Sequence, residues 1–209
     1  TAPGVLQIQH EAGAEEEEQP LDNAFAGFFR LEELSFPYPS TLEAVEENQP
    51  AAEIKVHART SKYSVGLTDG VIDMSLQTDF APKGEEAQRA IAMSVTGPLK
   101  SAFTGKVEGI DIPAESAAPS RVLVISSPQF LANPFARAGN PPPMPPQMAM
   151  IGAMGGDKNL QAIAMPYAQQ FLTATILAYK NLLDWMSGDV DLLAVSAKLL
   201  CEPNLTYTS

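Results

Sequence analysis

The residues best placed for chemistry are Ser126, Ser127 and Gln129, which follow directly after residues 121–125, the strongest strand pattern of the chain. In α/β proteins ligands bind at the carboxyl ends of strands, so polar side chains at this point predict a small-molecule site. A nucleophilic serine would also need a base within hydrogen-bond reach. Only two histidines are present to supply one.

Neither histidine fits a catalytic pattern. In the stretch 54–59 apolar and polar residues alternate as in a half-buried strand, and His57 shares the polar face with Lys55 and Arg59. No carboxylate or second histidine stands in register with it, so the pattern predicts a surface histidine. His10 lies in an acidic N-terminal stretch. We therefore predict no catalytic residues, no metal site and no cofactor.

The glycine and cysteine patterns carry no chemistry either. The sequence "GLTDG" at 66–70 is typical of a hairpin turn, and "GAMGG" at 152–156 lacks the preceding strand that a dinucleotide-binding loop requires. There is no G-x-S-x-G, no H-E-x-x-H and no phosphate-binding loop in the sequence. The single cysteine, Cys201, excludes an internal disulfide and a cysteine-pair zinc site.

The negative charge is concentrated in the N-terminal quarter. The formal net charge is −12, and residues 1–53 contain twelve acids and one base. The remaining residues are close to neutral, with thirteen acids and twelve bases. Because phosphate binding needs clustered lysines and arginines, this layout argues against nucleic acid and against an anionic membrane surface as partners.

The elements that must position these residues suggest an α/β chain with few helices. Residues 1–20 predict a disordered acidic leader, and residues 21–34 a short helix. Strands are expected over 54–59, over 90–97, where the continuous apolar character suggests burial on both faces, and over 121–125, typical of a central strand in a parallel sheet. We expect a mixed, partly parallel sheet.

The C-terminal region predicts the one long helix. Its apolar stripe consists of Phe171, Thr175, Tyr179, Leu182 and Met186, widened by Leu172, Ile176 and Leu183. The stripe predicts a helix packed against a sheet, with Trp185 in the core and Gly188 as the left-handed residue that ends it. The apolar residues 191–200 predict an edge strand. The longest apolar region, 159–186, carries charged and amide side chains, so no membrane span is expected within the chain.

These elements predict one α/β domain over 21–209 after the leader 1–20. Within it, residues 139–156 form a Pro/Met/Gly-rich segment, which predicts a mobile surface loop.

Four stretches in this order resemble a bacterial family. They are "VHARTSKYSVG", "IAMSVTGPLKSAF", "RVLVISSPQFLAN" and "NLLDWMSGDVDLLAVSAK", which together cover roughly residues 50–200. The pattern is similar to that of the gliding-motility-type (GldG-like) ABC transporter auxiliary proteins. The resemblance implies a flavodoxin-like or amidotransferase-like α/β fold. It also implies a periplasmic, extracytoplasmic location and anchoring by membrane helices outside these residues, with the membrane subunits of an ABC transporter as partners.

The expected function is therefore a non-enzymatic accessory domain, for binding or scaffolding, in such a transport system. Two alternatives stay open. One is a glycan or small-molecule binding module that uses Ser126, Ser127 and Gln129. The other is a degenerate hydrolase-like or amidotransferase-like enzyme.

Overall fold

The computed structural model describes residues 4–67, 83–103, 106–107, 109–131 and 158–188. The strands in these ranges are β1 (Val5–Gln9), β2 (Glu33–Pro37), β3 (Glu53–Arg59), β4 (Ala90–Gly97), β5 (Lys106–Val107), β6 (Ile110–Asp111) and β7 (Ser120–Ile125). One long helix, α1 (Lys158–Ser187), follows them. Two short 3-10 turns, Ala26–Phe28 and Glu46–Asn48, precede β2 and β3.

The mixed α/β class with few helices is confirmed. Within the described ranges the strands form three small sheets, β1–β2, β3–β4–β7 and β5–β6, and every pair is antiparallel. The parallel pairing expected for residues 121–125 is wrong, since β7 runs antiparallel to β4. Antiparallel sheets can leave one face without a helix layer.

The first strand lies inside the segment predicted to be a disordered leader. β1 pairs with β2 along its whole length, and Ile8 is buried in the core. In the loop that follows, the side chain of Gln19 exchanges two hydrogen bonds with the backbone of Glu11, each 2.8 Å long. The prediction of disorder is therefore wrong for these residues. Leu6 and Ile8 alternate with glutamines, a short strand pattern that the neighbouring glutamates obscure.

The three-stranded sheet has β4 at its centre and β7 at one edge. Residues 91–94 of β4 are all buried, which confirms the expected burial on both faces for that part of the strand, whereas residues 95–97 are half-buried. On β7, Leu123 and Ile125 pack against the core, whereas Val122 and Val124 are exposed. Within the described sheet this apolar run has a neighbouring strand on one side, β4, so a central position for it stays a prediction.

A bulge in β3 changes the faces that alternation predicts. Val56 pairs with Met93 and Ala58 pairs with Ala92, so His57 is the additional residue. The bulge lets His57 and Ala58 both lie in the interior. The prediction of a surface histidine is therefore wrong.

The long helix is confirmed, but its buried face differs from the predicted stripe. Between residues 172 and 187 the buried residues of this helix are Thr175, Ala178, Asn181, Leu182 and Trp185, whereas Ile176, Tyr179, Leu183 and Met186 are exposed. The helix packs on the turn Ala26–Phe28 and on β2, and this contact selects the buried face. The predicted core position of Trp185 and the left-handed Gly188, with φ of +82°, are both confirmed.

The main hydrophobic core joins the first sheet, the inner face of the three-stranded sheet and α1. Its buried members include Leu21, Phe28, Leu34, Phe36 and Ile91. The helix expected over 21–34 is wrong, since the structure has a 3-10 turn there and then β2.

Several predicted features fall outside the described residues. They are the Asp-Gly turn at 69–70, the loop 139–156, the strand 191–200 and Cys201. The division of the chain into domains stays a prediction.

Candidate functional site

Asp22 is fixed by its own backbone and by the turn that follows it. Its N–H donates to the carbonyl oxygen of His57 at 3.0 Å. Its Oδ1 accepts the N–H of Ala24 at 3.1 Å and the N–H of Phe25 at 3.0 Å. A carboxylate that accepts N–H groups two and three residues ahead forms an Asx turn. The other oxygen, Oδ2, therefore has a fixed position beside the sheet.

His57 connects Asp22 to the central strand. Its Nδ1 lies 2.9 Å from Oδ2 of Asp22, and its Nε2 lies 2.8 Å from Oγ of Ser94. An ionised carboxylate only accepts hydrogen bonds, so Nδ1 carries the proton and donates. In the neutral imidazole Nε2 then accepts from the hydroxyl of Ser94. The three side chains form one continuous hydrogen-bonded chain.

The neighbours of Asp22 in this hydrogen-bonded chain change the pKa of its carboxyl group. Burial by itself would raise the pKa of its carboxyl group. The hydrogen bond from His57, the electrostatic attraction between its imidazole and the carboxylate, and the N–H groups of Phe25 and Ala24 act in the opposite direction. Together they hold the pKa of Asp22 below its ordinary value of 3.8. The carboxylate is thus stabilised in its ionised form.

An aromatic cluster covers the imidazole. The ring of Phe25 stacks on the ring of His57 with centroids 3.6 Å apart and planes 12° apart. Phe25 also meets Trp185 and Phe28 edge to face, at centroid distances of 5.3 Å and 5.4 Å. This packing links the polar chain in the sheet to the helix α1.

The order Asp22, His57, Ser94 is the connectivity of a serine hydrolase triad. A nucleophilic serine must be reachable by substrate. Here His57 is 3% exposed and Ser94 is 4% exposed, and Ser94 lies within the central strand β4. The arrangement satisfies buried polar groups in the core. As placed, it does not present a nucleophile to solvent.

An open cleft of about 410 Å³ lies near the end of β2 and the start of β4. Its apolar wall includes Leu6, Tyr38 and Ile91, and its polar wall includes Thr60 and Arg89. Pockets of this size that combine aromatic and hydrogen-bonding side chains are typical small-molecule sites. The cleft is therefore a candidate ligand site within the part of the chain that the structure describes.

The backbone around the cleft is held under constraint. Tyr38 has φ of +50°, a left-handed conformation that is unfavourable for an aromatic residue. The guanidinium of Arg89 donates from Nη1 to the carbonyl oxygen of Ala87 at 2.9 Å and from Nη2 to that of Glu85 at 3.1 Å. Nη1 also donates to the carbonyl oxygen of Ser64. Arg89 therefore connects the loop that contains Ser64 to the segment just before β4.

The predicted site residues do not line this cleft. Ser127 is buried, and its hydroxyl donates to the carbonyl oxygen of Pro37. The Oγ of Ser126 is buried and has no hydrogen-bond partner among the described residues. Gln129 is half-buried. A ligand role for these three residues stays a prediction.

Sequence reasoning missed the polar chain. Asp22 and His57 are 35 residues apart, and His57 and Ser94 are 37 apart. One signal for it was present in the sequence. A histidine in a largely apolar strand needs a hydrogen-bond partner if its side chain faces the interior. The bulge that turns it inward leaves no mark in the alternation.

The described residues have a mixed α/β fold, and the side chains of Asp22, His57 and Ser94 form a polar network in its core. A family profile described as an ABC-type uncharacterized transport system matches residues 16–154. The chain belongs to this family and is an auxiliary component of an ABC-type transport system. The comparison with curated proteins and the comparison with solved structures each gave no match.

The family membership implies partners among the membrane subunits of a transporter. In the part of the chain that the structure describes, no helix combines the length and apolar character needed to cross a bilayer. In the same residues no group of three or more histidine, cysteine or carboxylate side chains is placed to bind a metal ion.

Proposed function

We propose that this chain is a non-enzymatic accessory domain of the gliding-motility type, with a binding or scaffolding role in its ABC transport system. It acts outside the cytoplasm and is anchored to the membrane by helices outside residues 1–209. A relation to flavodoxin-like or amidotransferase-like folds is part of the same proposal. The observation that carries it is the family match over residues 16–154, which spans most of the described strands.

The geometry supports a non-enzymatic role in one specific respect. Among the described residues the constellation with triad connectivity is Asp22–His57–Ser94, and it is enclosed in the core by Phe25 and the central strand. A scaffold needs a rigid core and exposed contact surfaces, and neither needs a reachable nucleophile.

Co-purification tests the proposal. The full-length protein, affinity-tagged and solubilised in mild detergent, is expected to retain the membrane subunits of its transport system at a fixed ratio. Protease added to intact spheroplasts should degrade the domain, because we place it outside the cytoplasm. Protection of the domain until the membrane is permeabilised, or loss of the subunits at low salt, would contradict the proposal.

A small-molecule or glycan binding role is the second candidate, and the cleft beside Tyr38 favours it. Sugars stack on exposed aromatic rings, and the cleft also contains Tyr63, which is largely exposed. A thermal-shift screen with oligosaccharides and small metabolites is expected to raise the melting temperature if a ligand prefers the folded state. The variant Tyr63→Ala should abolish that rise if the ligand binds in the cleft. If the ligand instead binds at the strand end near Ser126, Ser127 and Gln129, Ser127→Ala should abolish it.

The hydrolase alternative has its own test. Any esterase or amidase activity of the purified protein should vanish in Ser94→Ala and in His57→Gln if the buried chain were catalytic. Activity that survives both substitutions would exclude the buried chain of Asp22, His57 and Ser94 as its source, and absence of any activity in the wild-type protein would contradict the alternative itself.

A further inference from the structure

The outer face of the three-stranded sheet is apolar across all three strands. Residues paired across strands point to the same side of a sheet. The registers align Ile54 with Val95 and Val122, and align Val56 with Met93 and Val124. We call these six residues the outer sheet face. No polar residue interrupts the two rows.

Five of the six residues of this face are exposed or partly exposed, where a surface in water would normally be polar. Val122 is 40% exposed and Val124 is 41% exposed, Ile54, Val56 and Val95 are partly exposed, and Met93 is buried at 8%. The core described above packs on the opposite side, through Leu123 and Ile125. In antiparallel sheets with one solvated face, the outer residues alternate to polar types. A contiguous apolar patch of this kind marks an interaction surface.

An acidic border lies along the β3 side of the outer sheet face. Glu46 and Glu47, on the 3-10 turn before β3, line the same surface depression as Ile54. The turn is tied down by Gln49, whose side chain exchanges hydrogen bonds of 2.9 Å and 2.8 Å with the backbone of Lys100. Both glutamates are exposed, and neither forms an ion pair with any residue that the structure describes.

The charge of the border decides which occupant fits. A second copy of the chain would bring its own acidic border and a net charge of −12, so like charges oppose that pairing. The three longer chain segments outside the described ranges, 68–82, 132–157 and 189–209, carry seven acids and two bases in total. They therefore offer little positive charge to Glu46 and Glu47.

We propose that the outer sheet face binds an apolar segment of a transporter subunit whose flank carries lysine or arginine residues. The apolar side chains of that segment cover Val122 and Val124, and its basic flank meets Glu46 and Glu47. Hydrophobic burial supplies most of the affinity, while the charges set orientation and association rate. This inference rests on the proposed function, since it names the surface by which the accessory domain meets its transporter.

Site-specific photo-crosslinking locates the contact. Benzoylphenylalanine replaces Val124 in the full-length protein, which is expressed together with the membrane subunits of its transport system. The matched control places the same residue at Ile176, an exposed apolar position on α1. Mass spectrometry should find a cross-link from position 124, and not from 176, to a subunit segment with apolar residues next to lysine or arginine. A cross-link from 124 to another part of the same chain or to a second copy would overturn the inference.

Two sets of substitutions separate the apolar and charged contributions. The double variant Val122→Ser/Val124→Ser is expected to weaken co-purification about tenfold, whereas Ile176→Ser should leave it unchanged. Glu46→Gln/Glu47→Gln is expected to remove most of the salt dependence of binding. Circular dichroism checks that each variant is folded.

The failure modes are distinguishable. If the wild-type chain retains the subunits and both double variants retain them equally well, the inference is wrong and the proposed function stands. If the wild-type chain retains no subunit, the proposed function fails and takes the inference with it.

Discussion

Oδ2 of Asp22 lies 2.9 Å from Nδ1 of His57, and this contact joins the turn before β2 to the bulge of β3. The same aspartate accepts two N–H groups of that turn through Oδ1. Phe25, held by the turn, then stacks on His57 and touches Trp185. One carboxylate therefore connects the sheet, the turn and the long helix.

Replacing the carboxylate should destabilise the fold. Asp22→Asn keeps the size of the side chain but removes the charge that His57 and the turn N–H groups contact. We expect a loss of about 1.5–3 kcal/mol in the free energy of unfolding, the range for hydrogen bonds to charged groups. Urea titration followed by circular dichroism measures it. The control Glu53→Gln, an exposed carboxylate, should change stability by less than about 0.5 kcal/mol.

Asp22 should also make stability depend on acid pH. Its pKa in the folded state is below the ordinary value of 3.8, so the unfolded chain takes up the proton first as pH falls. The stabilisation is complete above that ordinary value and is lost as the pH falls through the lower, folded-state pKa. The difference in unfolding free energy between wild type and Asp22→Asn should therefore shrink below about pH 4. A constant difference from pH 6 to pH 2.5 would contradict this account.

Trp185 should stabilise the core by packing, and its fluorescence should report whether the core is folded. It is the single tryptophan of the chain and is buried against Phe25. Native emission is expected at short wavelength, with weak quenching by acrylamide. Trp185→Ala should cost about 3–5 kcal/mol, the usual loss for a large buried aromatic side chain, measured by circular dichroism in urea. Met186→Ala, at the exposed neighbouring position, is the matched control and should have little effect.

Ser127 should prove structural in a stability measurement. Its hydroxyl donates to the carbonyl oxygen of Pro37 and so ties the segment after β7 to the end of β2. Ser127→Ala would leave that buried oxygen without its donor, at an expected cost of about 1–3 kcal/mol. Ser120→Ala removes an exposed hydrogen bond to Ala118 and should cost less. Equal effects of the two substitutions would show that the buried bond adds nothing.

Part of this fold could be predicted from local pattern. The strands around 54–59, 90–97 and 121–125 and the helix ending at Gly188 all appear where periodicity and stop signals place them. The interior position of Trp185 also followed from the sequence. The sequence signal for each of these features lies in residues that are close along the chain.

The candidate sites could not be predicted in the same way. The cleft gathers residues from four separate segments, among them Leu6, Tyr38, Thr60 and Arg89. The left-handed backbone of Tyr38 carries no sequence signal, because it is imposed by the contacts of neighbouring strands. The three strand-end residues Ser126, Ser127 and Gln129 were chosen for a parallel sheet, and the antiparallel pairing of β7 removed that rationale.

By itself the sequence determined the acidic N-terminal quarter, the main strands, the long helix and a family resemblance, because composition and short-range periodicity are written along the chain. Only the tertiary structure decided which faces are buried. The bulge at His57 turns a residue predicted to be at the surface into the centre of a buried hydrogen-bonded chain. Strand register then gathers six apolar side chains on the outer sheet face. Faces depend on register and packing between distant segments, and alternation along one strand does not contain that information.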